Sequence, residues 1–387
     1  MESSGGPVTD RLAGSATGDR GAARTAPEAK LYERDLLAHL VEDLGEGYGE
    51  IELDTPLLEI GVLDSLRLQE LLTWIEDRYD VLLPPEKLRP ERFNSIRQMA
   101  EVVVESLAGD SSVAELDYFE ILNRLAESHG LTRQWLELPT GKLHLLTTTG
   151  NEDPTLVLLA GLGTPASSWG IMMRTLNRRR RTVAIDLPGF GVSPAPASAD
   201  FSFAAQVDAV LATLDATVPG AFVAVGHSAG AMIAAEIARH RPERCRGLMA
   251  ISFGRVGDGA SWWATLREMS RDPGVFWERA FYRPPPLGRA LRDRLLSMLA
   301  SPAYLEFLDT QAVAGLDGTF QGLELPAVFL GGSDDRIIES EILEQGAQQL
   351  PGAELSWIAR CGHNAHVERP EAVLVYVEHF LRRLEKP

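Results

Sequence analysis

Apolar residues in the first third of the chain recur at helical spacing. Between Leu31 and Leu44, the side chains of Leu36, Leu37, Leu40 and Val41 share one face, which predicts an amphipathic helix. A loop through Gly45 to Gly61 follows. Asp64 has the residue type and place of an N-cap for a helix from Ser65 to about Tyr79. A last helix from Ser95 to Leu107, reached through a short connection at Leu82 to Asn94, closes a compact helical bundle.

The pattern changes further along. Short apolar runs at Thr155–Ala160, Thr182–Asp186, Ala221–Val225, Gly247–Ser252, Ala327–Leu330 and Glu354–Ile358 alternate with helical stretches. Strands apolar on both faces and separated by helices predict an α/β fold, a mostly parallel sheet covered on both sides. Between the fourth and fifth runs, residues 253–321 form an insertion carrying Trp262, Trp263, Phe276, Trp277, Phe281 and Tyr282, expected to be a helical cap. Its aromatics either fill the cap's own core or line an acyl pocket. Residues 1–29 lack apolar periodicity and are expected to be a disordered tail. The polar stretch 109–117 reads as a linker between a helical domain at 30–108 and an α/β domain at 118–387. At 387 residues, two folded units are the ordinary expectation.

Charge narrows the partners. The formal net charge is −18, and residues 31–108 hold 18 Asp/Glu against 7 Lys/Arg. An acidic surface of this kind repels nucleic acid and anionic membranes and suits a partner with a basic patch. The two cysteines, Cys245 and Cys361, form no C-x-x-C motif and are expected to be buried or inert. With no signal-peptide core and no run of 18 apolar residues, a soluble cytoplasmic protein is expected.

The candidate chemistry begins at Gly226-His227-Ser228-Ala229-Gly230. This segment follows the apolar run Ala221–Val225 and opens a helical pattern from Ala229 to His240, the strand, sharp turn and helix of a nucleophile elbow. A serine hydroxyl is a poor nucleophile at neutral pH, so Ser228 needs a histidine base and an acid to orient it. Downstream, Gly331-Gly332-Ser333-Asp334-Asp335 follows a strand and supplies two aspartates, either of which can serve. Cys361-Gly362-His363-Asn364-Ala365-His366 supplies two histidines. No G-x-G-x-x-G follows a strand, no Walker sequence occurs, and the two histidines lack companions at metal-site spacing, so neither a metal nor a redox cofactor is expected.

On these residues the C-terminal 270 positions resemble the α/β-hydrolase family. The resemblance implies Asp335 as the acid, because Gly332-Ser333-Asp334-Asp335-Arg336-Ile337-Ile338 matches the family's spacing, and His363 as the base, because it precedes Glu368-Arg369-Pro370-Glu371. Asp186-Leu187-Pro188-Gly189-Phe190-Gly191-Val192-Ser193 and Leu159-Ala160-Gly161-Leu162-Gly163 also match, although most relatives have His where this chain has Ala160. The family's oxyanion hole then falls on the backbone amides of Leu162 and Ala229. His227 and the Asp186 to Ser193 region read as structural.

A second resemblance covers residues 31–108. The loop Leu57 to Leu66 with Leu63-Asp64-Ser65-Leu66, the acidic helix containing Glu70, and Leu88 to Ile96 are similar to acyl or peptidyl carrier proteins. That implies a small four-helix-type carrier bundle in which Ser65 receives covalent 4'-phosphopantetheine, with Glu59, Asp64, Glu70, Glu76 and Asp77 as the docking face. Its partners are then a phosphopantetheinyl transferase, a carrier-loading enzyme and an acyl or aminoacyl thioester. The two resemblances together imply a thioesterase- or acyltransferase-type enzyme of natural-product biosynthesis that hydrolyses, cyclises or transfers the tethered group. Its rivals are an acyltransferase serving another carrier, an esterase acting on an unrelated substrate and a non-catalytic docking protein. A nine-residue linker spans roughly 15–18 Å as a flexible coil and about 30 Å extended, enough for processing in cis if the domains can face each other.

Overall fold

The computed structural model describes residues 26–44, 51–79, 81, 83, 90–108, 118–253, 267, 271–284, 289–313 and 318–385. The expected tail before residue 26, the linker 109–117, and Trp262 and Trp263 of the cap lie outside the described residues.

The N-terminal unit holds α1 (Ala26–Leu44), α2 (Ser65–Tyr79), one 3-10 turn (Pro90–Phe93) and α3 (Ile96–Ala108). Helix α1 starts before its apolar periodicity does. Pro27 is preset for a first helical turn, so the helix takes in residues 26–29 of the expected tail without an apolar stripe. Among the described residues, the element between α2 and α3 is this 3-10 turn. Leu36, Leu40, Leu57, Leu63, Leu68, Ile75, Phe93, Ile96, Met99 and Val103 form the core.

The loop leading to Ser65 is pinned at several points. Leu57 N donates to Asn94 O at 2.7 Å, Leu58 N to Asn94 Oδ1 at 3.0 Å, Leu63 N to Leu57 O at 3.0 Å and Arg67 Nη1 to Val62 O at 3.2 Å. Asp64 caps α2 as its sequence predicts, its carboxylate accepting from Arg67 N at 2.9 Å. One member of the expected acidic face is displaced: Glu76 is 7% exposed and accepts from the backbone N of Leu83 at 3.4 Å. It braces the chain beyond α2 instead of facing a partner.

Helix α4 (Tyr118–Ser128) leads into an eight-stranded sheet of order β1-β2-β4-β3-β5-β6-β7-β8. Strands β1 (Thr132–Leu138) and β2 (Gly141–Thr147) form an antiparallel hairpin, and β2 pairs antiparallel with β4. From β3 (Glu152–Leu159) and β4 (Arg180–Ile185) through β5 (Phe222–His227), β6 (Cys245–Ile251), β7 (Ala327–Gly332) and β8 (Glu354–Ile358), neighbouring strands run parallel. The parallel strands sit where the apolar runs predict, and the hairpin is additional.

Successive residues point to opposite faces and feed two apolar layers. Leu156, Leu158, Val223, Val225, Met249 and Ile251 pack with α5 (Gly170–Leu176). Val157, Leu159, Ala224, Leu248 and Ala250 pack with α6 (Phe203–Thr217) and α7 (Ala229–His240). Between β6 and β7, the described part of the cap comprises α8 (Pro273–Ala280), α9 (Arg289–Leu299) and α10 (Pro302–Val313). Helix α11 (Ser340–Gln348) packs on β7, and the short α12 (Ala365–Glu368) precedes α13 (Pro370–Leu384), which joins α5 on the first face.

Candidate active site

Parallel strands in such a sheet deliver their loops to one end, and the candidate residues are met there. Strand β5 ends in a turn that holds Ser228 at φ 51°, ψ −121° before α7 begins at Ala229. For a residue with a Cβ this conformation is strained, a cost of about 1–3 kcal/mol that the surroundings must offset. They do so by close packing. Ser228 N donates to Ile251 O at 2.9 Å. A Cβ on Gly230 would lie 2.3 Å from Leu159 O, and one on Gly161 would lie 2.8 Å from His227 Nδ1 and 3.1 Å from Ser228 Cβ, so only glycine fits at either place. The same contacts bring the loop carrying Leu162 against the helix start carrying Ala229.

The two aspartates separate by geometry. Asp335 Oδ1 accepts from the amides of Ile337 and Ile338, both at 2.9 Å, leaving Oδ2 to meet His363 Nδ1 at 2.9 Å. Asp334 Oδ2 takes the hydroxyl of Ser333 at 2.6 Å. Phe281 and Trp277 of the cap, with ring centres 4.4 Å apart, pack with Ile337 and Ile338 beneath this loop. These cap aromatics therefore support the aspartate loop.

The histidines separate as well. His366 is fully buried, tilted on Trp169 at 4.2 Å and bonded through Nε2 to Ser168 Oγ at 3.2 Å. Burial, with His363 nearby, pulls its pKa down to about 3. His363 instead joins Asp335, and its backbone N donates to Ala280 O at 3.1 Å.

Residue reasoning had left His227 as structural, and the structure gives it a more specific place. Its Nε2 donates to the backbone carbonyl of His363 at 3.0 Å, which ties the serine turn to the histidine loop and sets the ring's tautomer. Burial first, then His366 and His363, hold it well below the ordinary histidine range. Glu368 also braces this loop, accepting from Gly362 N at 2.9 Å and Tyr282 N at 2.8 Å. Asp186 is buried and accepts from Ala166 N at 2.6 Å and Val192 N at 3.1 Å while meeting His144 Nδ1 at 2.7 Å. It is a packing centre below the Leu162 loop.

Two neutral buried histidines make the fold acid-labile. His366 has a folded pKa near 3 against an ordinary 6.5, so between those values the unfolded chain binds more protons. Its contribution is complete above about pH 6.5 and is lost as pH falls toward 3, at up to about 1.4 kcal/mol per pH unit. Thermal unfolding of His366→Gln between pH 7 and 4 should therefore show a shallower pH slope than the wild type. Parallel slopes would contradict this origin.

Both cysteines are buried, and burial pushes the thiols up to about 11 at Cys245 and about 12 at Cys361. Neither is suited to nucleophilic work. Among the described residues there is no group of His, Cys, Asp and Glu arranged to hold a metal ion, and no helix long and apolar enough to cross a membrane.

Residues 156–375 match the alpha/beta hydrolase family, and residues 34–103 match the phosphopantetheine attachment site family, in which the group is attached to a serine. Polyketide synthase ThaQ of Burkholderia thailandensis is 28% identical over 361 residues, covering 86% of this chain. The chain spans only 17% of that relative's length. A pimeloyl-[acyl-carrier protein] methyl ester esterase of Aromatoleum aromaticum is 28% identical over 258 residues, 59% of this chain and 98% of that protein. Among solved structures, a 2-hydroxy-6-oxo-6-phenylhexa-2,4-dienoate hydrolase from a Rhodococcus species shares the fold at a TM-score of 0.56, with 22% identity over 65% of this chain and 99% of that one. A lipase from Acinetobacter baumannii does so at a TM-score of 0.62, with 18% identity over 71% and 99%. The chain thus belongs to the alpha/beta hydrolase family, with a phosphopantetheine attachment domain joined to its hydrolase fold.

Proposed function

We propose that the two units serve one substrate: an acyl or aminoacyl group carried as a thioester at Ser65 is taken by Ser228 and then released or passed on. The observation that carries this reading is the 2.9 Å contact of His363 Nδ1 with Asp335 beside the strained turn of Ser228, on a chain that also holds a phosphopantetheine attachment domain.

Asp335 holds the Nδ1–H of His363, leaving Nε2 free to take the Ser228 proton. As the Ser228 oxygen bonds to the thioester carbonyl carbon, the amides of Leu162 and Ala229 receive the oxyanion. The C–S bond breaks, the departing sulfur takes the proton from His363, and an acyl-Ser228 ester remains. Water, a hydroxyl or an amine, deprotonated by His363, then attacks that ester and returns the proton to Ser228. Hydrolysis, cyclisation and transfer share every step up to this choice of nucleophile.

The residues around Ser65 fit the attached group. Ser65 opens the 15-residue helix α2, whose N-terminal dipole favours a phosphate, and the preceding loop is held by the Asn94 and Leu57 bonds. Bound there, the group would supply a flexible arm ending in a thiol. Similarity to a polyketide synthase and to an esterase of carrier-bound pimeloyl ester supports a carrier-held acyl substrate in natural-product biosynthesis.

A phosphopantetheinyl transferase with coenzyme A should add one phosphopantetheine to the wild type and none to Ser65→Ala, read by intact-protein mass. Modification that persists in Ser65→Ala would remove the tether from the account. An acyltransferase is separated from a hydrolase by whether an added acceptor outcompetes water for the acyl group.

A further inference from the structure

The phosphopantetheine unit meets the hydrolase unit through a polar contact and an apolar one. Arg174 on α5 lies with Nη1 3.5 Å from His129 Nε2. Its guanidinium also closes on Gly61, where an added Cβ would lie 3.4 Å from Nη2 and 3.6 Å from Nη1. His129 lies near the backbone of Leu58 and the charge of Asp64, while burial and the Arg174 charge lower its pKa. Gly61 of the segment that ends at Ser65 thus meets the His129–Arg174 pair, with Leu58 and Asp64 nearby. Beside it, α4 packs against the 3-10 turn, and Phe119, Leu122 and Leu125 belong to a buried apolar cluster that holds residues of both units.

Topology places this contact far from the candidate active site. Helix α5 starts at Gly170, beyond the Leu162 loop, and ends at Leu176 just before β4 begins at Arg180. Arg174 is therefore at the N-terminal end of the parallel strands. Asn177 Nδ2, donating to Gly130 O at 3.0 Å, holds the His129 turn at that same end. Ser228, Asp335 and His363 all follow the C-terminal ends of β5, β7 and β8. Strand β4 alone covers roughly 20 Å at about 3.3 Å per residue, and β5 lies two strand spacings, about 10 Å, to the side. The direct line crosses the packed layer between α5 and the sheet. A phosphopantetheine arm is about as long as five or six extended residues, roughly 20 Å, and to reach Ser228 it would have to run around the outside of that layer.

We propose that His129 and Arg174 form a docking site for the chain's own Leu58 to Asp64 segment, seating the carrier unit where its arm does not reach Ser228. The inference rests on Ser65 carrying the arm, as above. In this seat an acyl group is kept from the nucleophile while it is loaded, and discharge requires the unit to leave.

The test uses the full-length, phosphopantetheinylated protein. Arg174→Glu reverses the charge facing the segment, and Arg174→Gln removes it with little change in size. Small-angle scattering should show a larger maximum dimension in Arg174→Glu than in the wild type, with a smaller increase in Arg174→Gln. Single-turnover discharge of an acyl group on Ser65 should rise several-fold while turnover of a soluble acyl thioester stays unchanged. Unaltered scattering in both variants would overturn the docking site. A larger dimension with discharge unchanged or slower would overturn its role as a seat away from the nucleophile. Failure of the underlying reading looks different, as an unmodified Ser65 or a Ser228→Ala protein that discharges normally, and the scattering comparison is independent of both.

Discussion

Ser228→Ala should lower turnover of a soluble acyl thioester by on the order of 10⁶, the loss typical of removing a serine nucleophile from a working triad. The size follows from the chemistry. Without the hydroxyl, His363 has no serine proton to take and no acyl ester forms, so only binding and the Leu162 and Ala229 amides would remain. The elbow backbone is held by Ser228 N on Ile251 O and by the close approaches at Gly161 and Gly230, none of which uses the hydroxyl. The fold should survive, so the loss would report chemistry. Thiol release followed with a chromogenic reagent checks it, and a fall of less than about tenfold would assign the reaction to another group.

His363→Ala should abolish covalent labelling by a serine-directed fluorophosphonate, whereas His366→Ala should keep the labelling and lose stability instead. Only His363 contacts Asp335. His366 is buried under Trp169 and tied to Ser168, so its removal leaves a cavity and an unpaired hydroxyl, worth about 1–3 kcal/mol in unfolding free energy. Labelling time courses together with denaturant midpoints separate the two effects. Labelling lost in His366→Ala and kept in His363→Ala would move the base three residues along the chain.

Much of this architecture is legible in the residues, for identifiable reasons. The parallel strands announce themselves as continuous apolar runs because both faces are covered, and α2 does so through its apolar stripe and the Asp64 cap. The β1–β2 hairpin is missed by a search for apolar runs. Its edge strand is half exposed, with Thr132, Gln134, Trp135 and Glu137 open to solvent, so it offers no continuous apolar run before the Pro139-Thr140 turn. Local sequence left Asp334 against Asp335 and His363 against His366 open, and only family spacing favoured one of each. The backbone amides of Ile337 and Ile338 and the Ser168–Trp169 pocket supply the physical difference. Glu76 is expected on the docking face because helical spacing cannot show that the chain folds back to offer Leu83 N. The meeting of Arg174 and His129 with Gly61 and Leu58 joins segments far apart in sequence, and no local pattern signals it.

The measurement closest to the central claim is single-turnover release of a labelled acyl group loaded on Ser65, followed over a wide range of protein concentrations. The expected result is a first-order rate constant that does not change with concentration, together with retention of the label in Ser228→Ala. A rate that climbs in proportion to protein concentration, or equal release from both proteins, would contradict it.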